Sequence, residues 1–182
     1  MRRLAVSAVL LVPAVASAEP DPGILYATAA VGVGGVGVSG ARSVGGPGFD
    51  LAAAGRYRGW WIRVALTEMV MNLDGKLSEP RVGVERRTYD NPNASAFVGI
   101  DAGILSGAEA VEDTIGPTTL RGGFVMPRGG VEAGGEHVRF RFELDFPLGY
   151  GHDVEAQECP DPPRTSTGFL RGVTLLLGFT VR

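Results

Sequence analysis

The chain has 182 residues, enough for one domain, and its hydrophobic fraction of 45% is typical of a folded protein rather than a disordered one. The 28 glycines follow no three-residue period, which excludes a collagen-like structure. The formal net charge of −3 gives the chain no electrostatic basis for binding nucleic acid.

The first 18 residues have the pattern of a secretory signal peptide. Arg2 and Arg3 precede an apolar run over 4–16, and residues 16–18 are small. The alternative, a membrane-anchoring helix, is less favoured because the run is shorter than the roughly 20 residues that span a bilayer. We therefore predict cleavage after Ala18 and a mature domain over 19–182. Cys159 is the only cysteine, so no intrachain disulfide is expected.

Eight strand-like segments follow, each bounded by Gly, Pro, Asn, Asp or Ser. No later apolar run has the length of a membrane-spanning helix, so a membrane-spanning chain would have to cross with strands. The predicted strands are 24–38, 49–58, 60–72, 81–89, 96–106, 119–133, 137–150 and 168–182.

The seventh segment has the most regular alternation. One parity is apolar and the other is charged or polar, which indicates a two-faced β-strand. The apolar parity is Val138, Phe140, Phe142, Leu144, Phe146, Leu148 and Tyr150, and the other is His137, Arg139, Arg141, Glu143 and Asp145.

The remaining segments differ in regularity. The second, third, fifth and last alternate clearly, whereas the first loses its parity at Gly34 and Gly35 and the fourth has charges on both parities. The sixth contains Pro127, which cannot donate to a ladder, and we predict a bulge or bend over 127–130.

The connections alternate in length. Long ones are expected at 39–48, 73–80, 107–118 and 151–167, and short ones at Gly59, 90–95 and 134–136. In an antiparallel up-and-down arrangement, the four long loops lie at one end and the three short turns at the other.

This arrangement resembles the small eight-stranded outer-membrane β-barrel family, of the outer-membrane protein A and X type. The resemblance covers nearly all of 19–182. It implies an all-β, antiparallel up-and-down eight-stranded transmembrane β-barrel in the outer membrane of a diderm bacterium, with periplasmic turns and external long loops. It also implies outer-membrane lipids and the barrel-insertion machinery as partners. Alternate apolar residues of the last strand match the family's terminal targeting strand, although Arg182 replaces the terminal aromatic.

In a membrane barrel the apolar parity of each strand faces lipid and the charged parity faces the lumen. The reason is that only a closed sheet with apolar outward side chains is stable in hydrocarbon. Aromatics flanking the short turns would form an interfacial girdle: Tyr57, Trp60, Tyr89 and Phe97. The charges predicted to pair inside and plug the lumen are Arg56, Arg63, Asp101, Arg139, Arg141, Glu143 and Asp145. The residues predicted to face lipid are Val138, Phe140, Phe142, Leu144, Phe146, Val173, Leu175, Leu177 and Phe179. Glu68 and Arg171 share the lipid parity, and we expect both near the loop end.

Three other kinds of site are less favoured. The last loop contains His152, Asp153, Glu155, Glu158, Cys159 and Asp161, which could ligate a metal but match no known ligand spacing. His137 beside Glu136 has no serine close in sequence for a catalytic triad. The glycines over 32–37 have no following helix that could bind phosphate. We predict neither a catalytic site nor a cofactor.

The sequence thus favours a non-enzymatic outer-membrane barrel with a plugged lumen, serving envelope integrity or surface contact through four long external loops. Fold analogy alone suggests this role. The alternative is a soluble periplasmic barrel that binds a lipid or small hydrophobe, with the apolar parity lining its cavity. Periodicity does not distinguish the two.

Overall fold

The computed structural model describes residues 25–41, 43–70, 75–109, 118–155 and 163–182. These residues form a single antiparallel sheet. The predicted signal peptide and Cys159 lie outside the described residues. The strands are β1 (Leu25–Val38), β2 (Ser43–Tyr57), β3 (Trp60–Val70), β4 (Lys76–Asp90), β5 (Ala94–Glu109), β6 (Thr118–Gly134), β7 (Val138–Asp145), β8 (Leu148–Glu155) and β9 (Arg164–Val181).

The sheet closes on itself. β1 pairs with β9 from Ala27↔Val181 to Val38↔Leu170, in addition to pairing with β2. Closure satisfies the backbone groups that an open sheet would leave unpaired along its two edges. The described strands therefore form a β-barrel.

β7 and β8 are two halves of one strand. Both pair with β6 and β9, and the β6 register is the same before the break, at Arg128↔Asp145, and after it, at Val125↔Leu148. The break falls at Phe146 and Pro147, because proline has no N–H to donate to the ladder. Counted by register, the described part of the chain is an eight-stranded up-and-down barrel, as predicted.

The irregularity expected in β6 lies on its neighbour instead. β6 runs without interruption through Pro127, whose carbonyl accepts a hydrogen bond from the Phe146 amide at 3.0 Å. The Pro147 carbonyl accepts one from the Gly172 amide at 3.0 Å. The prediction of a bend over 127–130 is therefore wrong.

The three turns between β2 and β3, β4 and β5, and β6 and β7 are tight. In the first, Arg58 and Gly59 have φ values of 49° and 84°, as a two-residue type I′ hairpin requires. In the second, the Asn91 side-chain oxygen accepts hydrogen bonds from the amides of Asn93 and Ala94. We call this end of the barrel the turn end and the opposite one the loop end.

The strands extend further toward the loop end than predicted. β2 begins at Ser43 and β4 at Lys76, so the first two connections are only 39–42 and 71–75. The expectation of four long loops is therefore wrong for the first two. Glycine and proline over 45–48 indicated a loop, but Gly45 and Gly46 pair closely with Gly35 and Gly34. A Cβ on Gly45 would lie 2.5 Å from the Gly34 carbonyl oxygen.

Within the described residues, no helix has the length and apolar character needed to cross a membrane.

Candidate functional site

The outer wall of the barrel is apolar over most of its height. Phe140 is 47% exposed and Phe179 is 56% exposed, and their rings meet edge to face at 5.9 Å. Of the residues predicted to face lipid, the exposed ones are Val138, Phe140, Phe146, Val173, Leu177 and Phe179, and the half-buried ones are Phe142, Leu144 and Leu175. The alternative of a soluble binder needs this parity inside the barrel. The structure places it outside.

An ion network fills the middle of the barrel interior. We define it as Asp50, Arg63, Arg81, Glu85, Asp101, Arg128, Glu132, Arg141, Glu143 and Asp145, all of them buried. Its members come from β2 to β7, and each lies on the inward parity of its strand. Charges taken out of water are tolerated only when they are paired and hydrogen-bonded.

Arg63 occupies one side of the network. Its guanidinium donates to Asp50 at 2.7 Å and to Asp101 at 2.8 Å, and its exposure is 0%. Arg81 forms a second ion pair with Asp50 and lies 3.4 Å from Asp145. Arg63 on β3 thereby links β2 to β5, and Arg81 on β4 links β2 to β7, so these ion pairs connect strands that are not adjacent in the sheet.

Arg128 and Arg141 occupy the other side of the network. Arg128 donates to Asp101 at 2.9 Å and lies 3.0 Å from the Glu85 carboxylate. Arg141 donates to Glu85 at 2.9 Å, to Glu132 at 2.7 Å and to Glu143 at 2.7 Å. Planar guanidinium groups suit this role because each presents several donors in a fixed geometry.

The space that these side chains occupy depends on a small residue in β4. A Cβ on Gly83 would lie 2.1 Å from a carboxylate oxygen of Asp101 and 2.4 Å from the Ile100 carbonyl oxygen. Glycine at this position therefore lets the Asp101 carboxylate approach the sheet.

The network continues to the turn end. Glu132 accepts hydrogen bonds from Arg87 and Arg182, each at 2.8 Å. Arg139 lies 3.2 Å from Asp90 and donates to the Asn91 carbonyl oxygen at 2.8 Å. These contacts hold the last residue of the chain and the turn between β4 and β5 against the interior.

Aromatic rings pack beside the charges near the turn end. Tyr26 lies 4.9 Å from Trp61, and its hydroxyl donates to Glu85 at 3.0 Å. Phe97 is 2% exposed and points inward, with the Arg141 guanidinium 3.6 Å from its ring centroid. The prediction that Phe97 belongs to an outward girdle is therefore wrong. Tyr57, Trp60 and Tyr89 are outward and exposed.

The loop-end half of the interior is mostly apolar, which the sequence analysis did not anticipate. We call this packed group the apolar cluster; its inward side chains come from β1 to β6 and β9. Its members are Val36, Val38, Val44, Met69, Leu77, Leu105, Leu120, Phe124, Met126 and Leu170. The sequence did contain a signal for this cluster. Within single strands the apolar residues change parity, so that Leu77, Leu105 and Leu120 share the parity of the inward charges.

Outward residues reverse in the same region. Direct cross-strand partners on the outer surface form a continuous row of polar side chains that crosses β3 to β9. This polar row is Glu68, Ser78, Ser106, Arg121, His152 and Thr167. Toward the loop end the described wall therefore has the apolar cluster inside, beside the buried Glu79 and Asp153, and the polar row outside, which is closer to the arrangement of a water-soluble protein.

Of the predicted interior charges, the structure places Arg63, Asp101, Arg141, Glu143 and Asp145 in the ion network and Arg139 beside it. Arg56 does not join them. It has the inward parity but lies next to the turn and is exposed, so its assignment to the interior network is corrected. Five network residues were missed: Asp50, Arg81, Glu85, Arg128 and Glu132. Arg128 was missed because it follows Pro127, and Arg81 because its strand begins five residues earlier than predicted.

The other candidate residues lie apart from this interior. Glu136 and His137 are exposed in the turn before β7, and His152 is exposed on the outer surface, where its ring is 2.8 Å from the Thr167 hydroxyl. The glycines over 32–37 are part of β1. No group of three or more metal-ligating side chains occurs among the described residues. Glu158, Cys159 and Asp161 of the last loop lie outside them.

This architecture is similar to that of solved small outer-membrane proteins. No protein-family model matches the sequence, and no curated protein sequence is significantly similar to it. Neisserial surface protein A superposes on the structure with a TM-score of 0.58 at 15% identity, over 86% of this chain and 96% of that one. Outer membrane protein AlkL, solved by solid-state NMR in lipid bilayers, gives 0.56 at 10% identity, over 91% and 92%.

The attachment invasion locus protein Ail of Yersinia pestis gives a TM-score of 0.52 at 11% identity, over 86% of this chain and 97% of that one. The chain has the fold of the small outer-membrane β-barrels. In this barrel, the apolar wall and the charged interior reproduce the inside-out distribution that such a fold requires. A further structure of Ail, with a TM-score of 0.50 at 10% identity over 87% and 98%, contains the heparin analogue sucrose octasulfate.

Proposed function

We propose that this protein is an integral outer-membrane β-barrel of a diderm bacterium, non-enzymatic and closed to solutes, that makes contacts at the cell surface through its loop end. One observation carries the proposal: Phe140 and Phe179 face outward while Arg63 and Asp101 are fully buried within the same closed sheet. Water would favour the opposite arrangement, and hydrocarbon favours this one.

The bilayer would surround the turn-end part of the barrel. The strands from β1 to β6 contain 14, 15, 11, 15, 16 and 17 residues, whereas about 9–11 tilted residues span a membrane. Tyr57, Trp60 and Tyr89 would lie at one interface. The polar row would lie at the other. Beyond it the barrel would project into water around the apolar cluster.

The interior supports a closed lumen. The ion network spans the barrel with ion pairs at 2.7–3.1 Å, and the apolar cluster fills the space toward the loop end. An eight-stranded barrel has room for little more than its own side chains. We therefore expect water and ions to find no continuous path.

Contact with other molecules would then use the loop end. Among the structural neighbours, Ail is the attachment invasion locus protein of Yersinia pestis, and one of its structures contains a heparin analogue. By analogy, the longer connections at 110–117 and 156–163 would carry any surface ligand. The last strand would serve as the targeting strand for the insertion machinery, with Arg182 held by Glu132 in place of a terminal aromatic.

The test combines extraction with topology. We expect the protein to stay in the membrane fraction after osmotic shock and, in detergent, to migrate faster unheated than boiled. Intact cells are then labelled with an impermeant maleimide. Native Cys159 should react. In a Cys159→Ser background, Glu136→Cys in a turn should stay unlabelled until the cells are broken. Release by osmotic shock would overturn the membrane assignment, and labelling of only the Glu136→Cys position would overturn the orientation.

A further inference from the structure

Two exposed arginines flank two exposed aromatic rings on the outer surface at the turn end. Tyr57 and Trp60 are cross-strand partners of β2 and β3, 58% and 45% exposed. The Arg58 guanidinium lies 5.3 Å from the Tyr57 ring centroid, and that of Arg86 on β4 lies 5.6 Å from the Trp60 centroid. We call these four residues the cation–aromatic ladder.

The two guanidinium groups differ from the interior arginines in their partners. Within the described residues, Arg58 and Arg86 have ring contacts but no carboxylate partner. This distinguishes them from the interior arginines, such as Arg63, which lie between two carboxylates. Two exposed arginines at the edge of an apolar wall are complementary to an anion held at the same depth.

A groove of about 610 Å³ leads from Arg86 over the wall and is lined in part by Trp60, Val98 and Ile100. The last two residues are outward on β5 and about half exposed, in line with Ile104 further along the same strand. This surface is therefore amphipathic: the arginines lie at the turn end, and the apolar residues of the groove extend from them toward the middle of the barrel wall.

We propose that this surface binds one anionic glycerophospholipid, whose phosphate is held by Arg86, with Arg58 adding positive charge at the same end of the barrel, and whose acyl chain lies in the groove over Val98 and Ile100. The inference rests on the proposed membrane location, which places the turn end at the periplasmic leaflet. Trp60 would pack against the glycerol region, where the amphipathic indole is favoured.

The test uses Trp60 as the reporter. The chain has two tryptophans, and Trp61 is buried inside the barrel, so bromine on lipid acyl chains should quench only Trp60. The protein is refolded into vesicles of phosphatidylcholine and phosphatidylglycerol in equal amounts, with bromine on one lipid or the other. We expect phosphatidylglycerol to be enriched about five-fold around Trp60, as one arginine at a membrane surface can provide.

Variants identify the groups responsible. Arg86→Gln should lower the enrichment to about one-fold, Arg58→Gln should lower it in part, and Arg86→Lys should retain part of it, in line with a partly charge-based contact. Arg171→Gln removes an exposed arginine on the lipid parity near the loop end and should leave the enrichment unchanged. Fast migration without boiling shows that each variant is folded.

The outcomes separate this inference from the proposed function. Equal quenching by both brominated lipids in the wild type, or an unchanged preference in Arg86→Gln, would overturn the lipid site while leaving the membrane barrel intact. A folded protein in which neither lipid quenches Trp60 would overturn the membrane location itself.

Discussion

The Arg141 guanidinium lies over the ring of Phe97 within the barrel, with the guanidinium carbon 3.6 Å from the ring centroid. Both are buried, so the arginine exchanges hydration for the ring face and three carboxylates. Such a desolvated cation–π contact can contribute about 2 kcal/mol. It joins β5 and β7, which are not neighbours in the sheet.

We predict that Phe97→Ala lowers the free energy of unfolding by about 3–5 kcal/mol, because it removes both a buried ring and the ring face beneath Arg141. Phe97→Leu keeps much of the apolar volume and should cost about 2 kcal/mol. Urea unfolding in lipid vesicles, followed by tryptophan fluorescence, measures both. Phe140→Leu on the outer wall is the control and should change stability by less than about 1.5 kcal/mol. Equal losses for Phe97→Leu and Phe140→Leu would contradict a special role for the inward ring.

The ion network predicts that the stability losses of single substitutions do not add up when two ion-pair partners are replaced together. Arg63→Met should cost about 3–5 kcal/mol because it leaves Asp50 and Asp101 buried with one fewer cation. Combining it with Asp50→Asn should cost less than the sum of the two single variants, by about 0.5–3 kcal/mol of coupling. Arg56→Met, on the same inward parity but exposed, should stay within about 0.5 kcal/mol of wild type. An additive double variant would argue against the network.

The ion network and the apolar cluster together predict that the barrel does not conduct ions in planar bilayers. Wild-type protein should show no steady conductance. The double variant Leu120→Ala with Phe124→Ala opens only the apolar cluster, so it should lose stability by several kcal/mol yet remain non-conducting. A large-pore outer-membrane porin serves as the positive control for the membrane. Steady channels from the wild type would refute the closed lumen, and channels from the double variant alone would show that the apolar cluster is the seal.

The turn between β2 and β3 predicts a purely conformational cost. A Cβ on Gly59 would meet no atom within 4 Å, yet the residue has φ of 84°. Gly59→Ala should therefore destabilise the barrel by about 1–2 kcal/mol through backbone strain alone. Gly123 in β6 also has open space and has an ordinary strand backbone, so Gly123→Ala should be neutral or stabilising by about 0.5–1 kcal/mol. Urea midpoints compare them, and equal effects would refute the strain argument.

Parity along the chain was sufficient to predict the strands and which residues share a face in the turn-end part of the barrel. Arg139, Arg141, Glu143 and Asp145 occur on one parity and are all buried, with the apolar set of the same strand outside. The strand period of two follows from local covalent geometry, so it can be read without knowledge of any partner. The single residue Arg56 shows the limit, since parity does not reveal how close a side chain is to the rim.

Only the tertiary structure decided the rest. Closure of β1 onto β9 sets where water and hydrocarbon meet the wall, and the polar row and the apolar cluster show that this environment changes partway along each strand. The alternation in β1 and β4 is irregular because one strand passes through two environments with opposite demands. Strand lengths and the short connection at 39–42 depend on contacts between distant segments, whereas the inward position of Phe97 follows from the parity that it shares with Asp101 on β5. Local sequence determines which side chains share a face, but the surroundings of that face are a property of the closed barrel.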